Sequence, residues 1–131
     1  MSVIDKVALI RWDGDAILAA RTRGREAYYL PGGKPEPGES RLDALVREAA
    51  EELAVAVDPA TAVRVGTVDA PAHGRAGAIV RMHCYTAESS GTPRPAGEIA
   101  DVRWIGPADR HLLSPAALAA VEVLRGPSTP G

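Results

Sequence analysis

Between Leu30 and Val55 the chain reads LPGGKPEPGESRLDALVREAAEELAV, a Gly/Pro-rich loop running straight into a helix. Ser40 with Asp43 three residues on is a capping-box pattern. After it, Leu42, Leu45, Val46, Ala49 and Leu53 recur at helical spacing and form one apolar stripe. At about 100° of rotation per residue, Glu48, Glu51 and Glu52 share an arc of roughly 100° on a different side of the cylinder. Such a helix buries Leu42 to Leu53 in a core and offers three carboxylates outward. Like charges that close repel one another, so this face is either solvated or made to receive a cation.

Taken alone, REAAEE fits the solvated reading, because Arg47 can pair with Asp43 and Glu51 at i,i+4 for about 0.3–0.5 kcal/mol each. The wider spacing favours a cation. Gly33, five residues, Glu39, seven residues, Arg47-Glu48, two residues, Glu51-Glu52 fix six positions. At about 7% frequency per residue type, that coincidence arises roughly once in 10 million windows. The pattern resembles the Nudix box: Gly, five residues, Glu, seven residues, Arg-Glu, an aliphatic residue, any residue, Glu-Glu, any residue, Gly, an aliphatic residue. The box spans residues 33–55, and YYLPGG before it and Glu98 to Trp104 after it are also similar to the family. Two positions depart. Ala49 stands where a larger aliphatic residue is usual, and Ala54 replaces the glycine that normally takes a left-handed conformation past the helix. Ala adopts that conformation at a cost of about 1 kcal/mol, so the helix either accepts the cost, runs on a residue or two, or ends in another turn. Neither change removes a metal-binding group.

The rest of the chain supplies strands. Val3 to Arg11 is β-branched and apolar, DGD at 13–15 is a turn, and Ala16 to Ala20 returns as the second arm of a hairpin. RTRGRE at 21–26 is a charged loop, and Tyr28 to Leu30 a short strand leading into Pro31-Gly32-Gly33. Ala62–Asp69, Ala78–Ala87 and Val102–Ile105 read as further strands. The segments at 70–77 and 88–98 read as loops, the second as the segment most prone to disorder apart from the tail. Ser114 caps a second helix with Pro115 in its first turn; Ala117, Leu118, Val121 and Leu124 form its buried face, and Gly126-Pro127 stops it. With no internal repeat and no linker, the expectation is one domain over 1–126 and a flexible tail at 127–131. Strands flanked by two helices give an α/β (α+β) chain with a mixed β-sheet between helices; the resemblance implies the Nudix-type α/β/α sandwich.

What the resemblance implies for the site follows residue by residue. Glu51 and Glu52 are principal ligands of Mg²⁺ (Mn²⁺ is an alternative), with the Gly32 carbonyl completing the site. Glu48 binds metal or orients and deprotonates the attacking water, and Arg47 positions these carboxylates by pairing with Glu39 or Glu51. The charge logic agrees, because hard divalent cations take oxygen ligands and bridge carboxylates to substrate phosphates. Gly32 and Gly33 let the backbone approach where a side chain would obstruct. Glu98 lies in a region that supplies a further acid in relatives, as an auxiliary ligand or base. Arg21, closing the second strand, is a phosphate contact in that frame or else a solvated arginine; Arg23 and Arg25 are read as exposed. Tyr28, Tyr29 and Trp12 can stack a nucleobase, though neighbouring strand residues face opposite ways, so one tyrosine belongs to the core. His73 and His83 lack metal-ligand spacing, and Cys84 alternates into the core.

Composition sets the outer limits. Of 131 residues, 46% are apolar and 24% charged, with net charge −2 and one cysteine. No basic run tracks nucleic-acid phosphates, no stretch approaches a membrane span, and Asp5 and Lys6 interrupt any signal-peptide core. The expectation is a cytoplasmic enzyme without nucleic-acid or membrane partners, leaving a homodimer open. The implied activity is Mg²⁺-dependent hydrolysis of a nucleoside diphosphate linked to X. A MutT-like reaction on a (deoxy)nucleoside triphosphate, giving a monophosphate and pyrophosphate, suits the compact chain. Pro71, sixteen residues past Val55, has a spacing that resembles that of ADP-ribose pyrophosphatases, so an ADP-ribose or nucleotide-sugar pyrophosphatase is the alternative. A non-catalytic nucleotide sensor is the alternative of another class, set against the retention of all four box glutamates.

Overall fold

Strand β1 (Ser2–Leu9) lies inside a four-stranded sheet, and its neighbours explain its near-continuous apolar end. It pairs in parallel with β7 (Ala78–Thr86), Lys6 opposite Met82, and antiparallel with the short β4 (Gly32–Gly33). The edge strand β6 (Val63–Pro71) runs antiparallel to β7, so the sheet is mixed. A second, antiparallel sheet holds β2 (Trp12–Asp13), β3 (Ala16–Thr22) and β9 (Ile99–Ile105). The computed structural model describes residues 2–72 and 74–125. His73, the stop at Gly126-Pro127 and the tail at 127–131 lie outside them.

Helix α1 (Arg41–Leu53) covers one side and helix α2 (Pro115–Arg125) the other. Strand alternation divides the apolar residues between them. Val7, Leu9, Leu18 and Ala20 pack with Leu45, Ala49 and Leu53 of α1, whereas Ala8, Ile10, Ile17 and Ala19 pack with Ala117 and Val121 of α2. Each fully buried Leu, Ile or Val contributes roughly 1.5–3 kcal/mol. The result is the expected α/β/α sandwich, with Cys84 wholly buried in the α2-side core. Among the described residues no helix is long and apolar enough to cross a membrane.

Both helix starts are as the sequence reads. Ser40 Oγ accepts from Asp43 N–H at 3.0 Å, and Ser114 Oγ from Ala117 N–H at 3.2 Å. At the end of α1, Ala54 takes the left-handed conformation, φ 56° and ψ 34°, and donates its N–H to Ala50 O at 3.2 Å. The helix neither runs on nor turns differently; it bears the strain.

Three expectations change. The hairpin of Val3–Arg11 with Ala16–Ala20 forms only at its tip, where Trp12 and Asp13 face Ile17 and Ala16. Beyond Leu9 the chain crosses between sheets, because β1 is apolar on both faces and needs β7 and β4 beside it. Tyr28–Leu30 is no continuous strand: Tyr29 bridges Ala20, and Tyr28 bridges Leu113. The 88–98 segment is not the loose loop expected. Ser89–Ser90 (β8) pairs with Ala56–Val57 (β5), and Arg94 N–H and Ala96 N–H donate to the Leu53 and Glu52 carbonyls at 3.0 and 3.1 Å. Those are carbonyls the end of α1 would otherwise leave unpaired. A 3₁₀ segment at Pro107–Leu112, not anticipated, links β9 to α2.

Candidate active site

The Gly32–Gly33 strand and the middle of α1 meet because both are held by β1. Gly32 has φ 145°, and a Cβ there would lie 1.9 Å from the Val7 carbonyl oxygen, so only glycine fits. A Cβ on Gly33 would lie 2.8 Å from Glu48 Cδ, and its absence leaves the Glu48 carboxylate its place beside the loop. Gly32 N–H donates to Glu52 Oε1 at 2.8 Å, tying loop to helix through one of the box carboxylates.

Arg47 is the hub of the others. Its Nε is 2.8 Å from Glu39 Oε2 and its Nη2 is 2.9 Å from Glu39 Oε1, a two-pronged contact. Nη1 donates to Glu48 Oε1 at 2.7 Å and to Glu51 Oε2 at 3.3 Å, and Nη2 also reaches the Lys34 carbonyl at 3.3 Å. Glu39 in turn accepts from Glu36 N–H at 2.9 Å. The pairing expected with Glu39 or Glu51 is thus made with both, and with Glu48 as well.

The electrostatics separate the glutamates. The hydrogen bond from Arg47, then that from Glu36 N–H, hold the Glu39 carboxyl down to about 2. Burial pushes the Glu52 carboxyl up to about 7, against the pull of Gly32 N–H and Lys6, with Glu48 and Glu51 adding to the rise. Burial raises Glu48 too, opposed chiefly by its hydrogen bond from Arg47. Two carboxylates with raised pKa and a third exposed one, Glu51, make a face that gains by receiving positive charge.

Glu48, Glu51, Glu52 and Glu98 line one recess of about 420 Å³, with Thr22, Gly97 and Ile99. A Gly97 Cβ would lie 3.0 Å from the Glu51 carbonyl, so the glycine lets the Glu98 segment lie against the end of α1. Among the described residues no three His, Cys, Asp or Glu side chains converge closely enough to hold an ion. The reason is visible: Arg47 spans Glu48 and Glu51, and Glu52 is turned to Gly32 N–H. In kind the donors fit a hard divalent cation, being carboxylate oxygens around a polar recess without nitrogen or sulfur ligands.

Beside the recess lies a second cavity of about 340 Å³ over the α2-side face of the sheet. Its floor is Ile4, Lys6, Ala8, Val80 and Met82, and Tyr29, Arg25, Arg75 and Ser114 stand around it. Thr22 and Glu52 line both spaces, so the two adjoin. Arg21 and Tyr28, expected at a substrate, line neither. Arg21 donates to the Arg25 carbonyl at 3.2 Å and lies over the Tyr28 ring, while Tyr28 is buried and donates its hydroxyl to Asp101. Tyr29, Arg25 and Lys6 stand at the cavity instead. Lys6 had a legible signal, a lone ammonium within the apolar alternation Ile4, Lys6, Ala8; Arg25 had none, since a loop arginine is usually solvated.

Fold and site together define an α/β/α protein with a carboxylate-lined recess at the junction of a glycine loop and a helix. The NUDIX domain model matches residues 4–125, and the chain belongs to the Nudix family. Pyrophosphohydrolase activity on a nucleotide-type substrate is what that membership assigns it. Among solved structures, the chain is similar to the E. coli ORF135 protein at 31% identity, covering 95% of this chain and 92% of that one, with TM-score 0.70. It is similar to a MutT NUDIX hydrolase from Burkholderia pseudomallei at 26% identity, covering 93% and 98%, with TM-score 0.76. A NUDIX hydrolase from Nitrosomonas europaea, 20% identical over 92% and 87% with TM-score 0.74, shares the fold. No curated protein sequence matches this chain.

Proposed function

We propose that this protein is a MutT-like, divalent-cation-dependent hydrolase that converts a nucleoside triphosphate to a monophosphate and pyrophosphate. The observation that carries the reading is the pair of adjoining spaces, one lined by four carboxylates and one by apolar, aromatic and basic side chains. The similarity to a protein named a MutT NUDIX hydrolase, over nearly the whole of both chains, supports it.

In this reading Glu51 and Glu52, with Glu98 and the Gly32 carbonyl, would hold Mg²⁺ or Mn²⁺, and Glu48 would either join them or serve the attacking water. When bound, such a cation neutralises phosphate oxygens and acidifies water. The chain's own residues do the rest. Arg47 fixes Glu48 and Glu51 relative to each other and to Glu39, so the carboxylates hold their order as charge moves. Glu48, half-buried with a raised pKa, accepts the proton of the water that attacks phosphorus. Glu52, whose carboxyl burial pushes up to about 7, would bind such a cation as the carboxylate. Tyr29 and the apolar floor of the second cavity receive the base, and Arg25 and Arg75 offset the negative charge of the phosphates. Of Tyr28, Tyr29 and Trp12, Tyr29 is the aromatic residue that lines this cavity and can stack the base. Arg21 acts indirectly, by holding the Arg25 carbonyl and so the 21–27 loop.

The test is turnover across nucleoside triphosphates (normal and oxidised), ADP-ribose, nucleotide sugars and dinucleoside polyphosphates, with ³¹P NMR of the products. The reading predicts that triphosphates give monophosphate and pyrophosphate with Mg²⁺ and none with EDTA. Preferential cleavage of ADP-ribose or a nucleotide sugar would replace it with the pyrophosphatase alternative. Tight binding without turnover would leave a sensor.

A further inference from the structure

Strand β1 places an ammonium where the fold has no use for one. Alternation sends Val7 and Leu9 toward α1 and sends Ile4, Lys6 and Ala8 to the floor of the second cavity, with Val80 and Met82 beside them on β7. Lys6 is half-buried, yet among the described residues its ammonium makes no hydrogen bond and no ion pair. The carboxylates nearest it in effect are Glu52 and Glu48, and each is already engaged, Glu52 by Gly32 N–H and Glu48 by Arg47. A half-buried lysine that served packing alone would turn to one of these acids, because a charge drawn partly out of water without a partner is costly. The cost shows in its pKa, which burial lowers first and Lys34 and Arg25 lower further, while Glu52 and Glu48 oppose them. Lys6 therefore stands near two other cations, lining the second cavity together with Glu52, which also lines the carboxylate recess. A polyanion spanning the second cavity and the carboxylate recess would cross this boundary, where Glu52 and Thr22 line both spaces.

We propose that Lys6 is a substrate-positioning residue whose ammonium donates to a phosphate oxygen of the bound nucleotide at the boundary between the two cavities. The proposal rests on the reading of these cavities as a nucleotide site, but not on catalysis. A bound phosphate supplies the partner Lys6 lacks, and Lys6 holds that phosphate without any metal. The carboxylates opposite would repel a bare phosphate, so Lys6 also fixes which part of the chain lies against them.

The test is calorimetric binding in EDTA of the four common nucleosides and their 5′-monophosphates to the whole chain, wild type, Lys6→Met and Lys6→Arg. For bases that bind, Lys6→Met should weaken the monophosphate roughly tenfold, as expected when a charge-assisted hydrogen bond is lost. It should leave the nucleoside within about twofold, and Lys6→Arg should restore most of the difference. With metal and substrate, Lys6→Met should raise KM about as much and change kcat far less, the mark of lost ground-state binding. Equal weakening of nucleoside and monophosphate would overturn the proposal in favour of a base or packing contact. No weakening, or no monophosphate binding by the wild type in EDTA, would overturn it too. Lys6→Gln is read the same way should Lys6→Met not fold. A chain that binds monophosphate through Lys6 yet hydrolyses nothing would uphold this proposal and sink the hydrolase reading.

Discussion

Arg47 grips Glu39 with two nitrogens, Nε at 2.8 Å and Nη2 at 2.9 Å, and spends its third on Glu48 at 2.7 Å. A lysine keeps the charge but has no planar fork and cannot serve Glu39, Glu48 and the Lys34 carbonyl together. Arg47→Lys and Glu39→Gln should each lower kcat/KM by roughly 10–100-fold, the range for residues that orient metal ligands. Thermal melts should move little by comparison, since the cluster lies at the protein surface with Arg47, Glu39 and Glu48 each still partly open to solvent. Steady-state kinetics beside melting curves check this, and a large fall in melting temperature with normal kcat/KM would contradict it.

Glu52 gives the site a pH signature of defined sign. Its carboxyl titrates near 7 when folded, above the ordinary value of 4.5. A raised carboxyl pKa favours the folded, metal-free chain below the unfolded value, and that contribution is lost as pH rises through about 7. Metal ligation requires the deprotonated form, so binding should release a proton at pH 6 and almost none at pH 8. Calorimetry in buffers of differing ionisation enthalpy measures the release. Equal release at both values, or persistence in Glu52→Gln, would contradict the assignment.

The two loop glycines should fail in different ways. At Gly32 the added methyl would meet backbone, the Val7 carbonyl at 1.9 Å, so Gly32→Ala should prevent stable folding. At Gly33 it would meet the movable end of Glu48 at 2.8 Å. Gly33→Ala should therefore fold while losing roughly 100-fold in kcat through a displaced carboxylate. Circular dichroism and kinetics on the pair separate the cases; a Gly33→Ala enzyme of normal kcat would count against Glu48 as the base.

Ala54 is the one non-glycine residue with positive φ among those described. Ala54→Gly should stabilise by about 1 kcal/mol, the cost of the left-handed conformation for an L side chain. For a chain of this length that corresponds to roughly 3–6 °C in melting temperature. Activity should be unchanged, because no contact of Ala54 bears on the carboxylates. A lowered melting temperature would show that the lost methyl packs usefully.

These predictions lean on what was legible in the sequence and on what was not. Helix α1, its Ser40 cap and its carboxylate face are local features, set by spacing over a few turns, and the structure repeats them. Strand β1 was legible as a strand but not by its partner, because parallel pairing with β7 joins residues over 70 positions apart. The order of 88–98 was hidden for a similar reason: its Gly- and Pro-rich composition reads as loose, while its N–H groups answer carbonyls at the end of α1. At the site, the parity of Tyr28 and Tyr29 decided which ring is core and which faces the cavity. That parity follows from single bridges to Ala20 and Leu113, which no local pattern announces. The proximity of Glu98 to the box glutamates depends on Gly97 lying against the Glu51 carbonyl, a contact between segments the sequence separates.

Everything proposed for the site requires the face of α1 carrying Glu48, Glu51 and Glu52 to be a divalent-cation site and not a solvated helix surface. Electron paramagnetic resonance of free Mn²⁺ during a protein titration measures this directly. The account predicts saturable depletion of the free-ion signal, reversed by Mg²⁺ and weakened roughly tenfold or more by Glu51→Gln and by Glu52→Gln. Depletion that is weak, non-saturable and the same in wild type and both variants would mean that these carboxylates only decorate a surface.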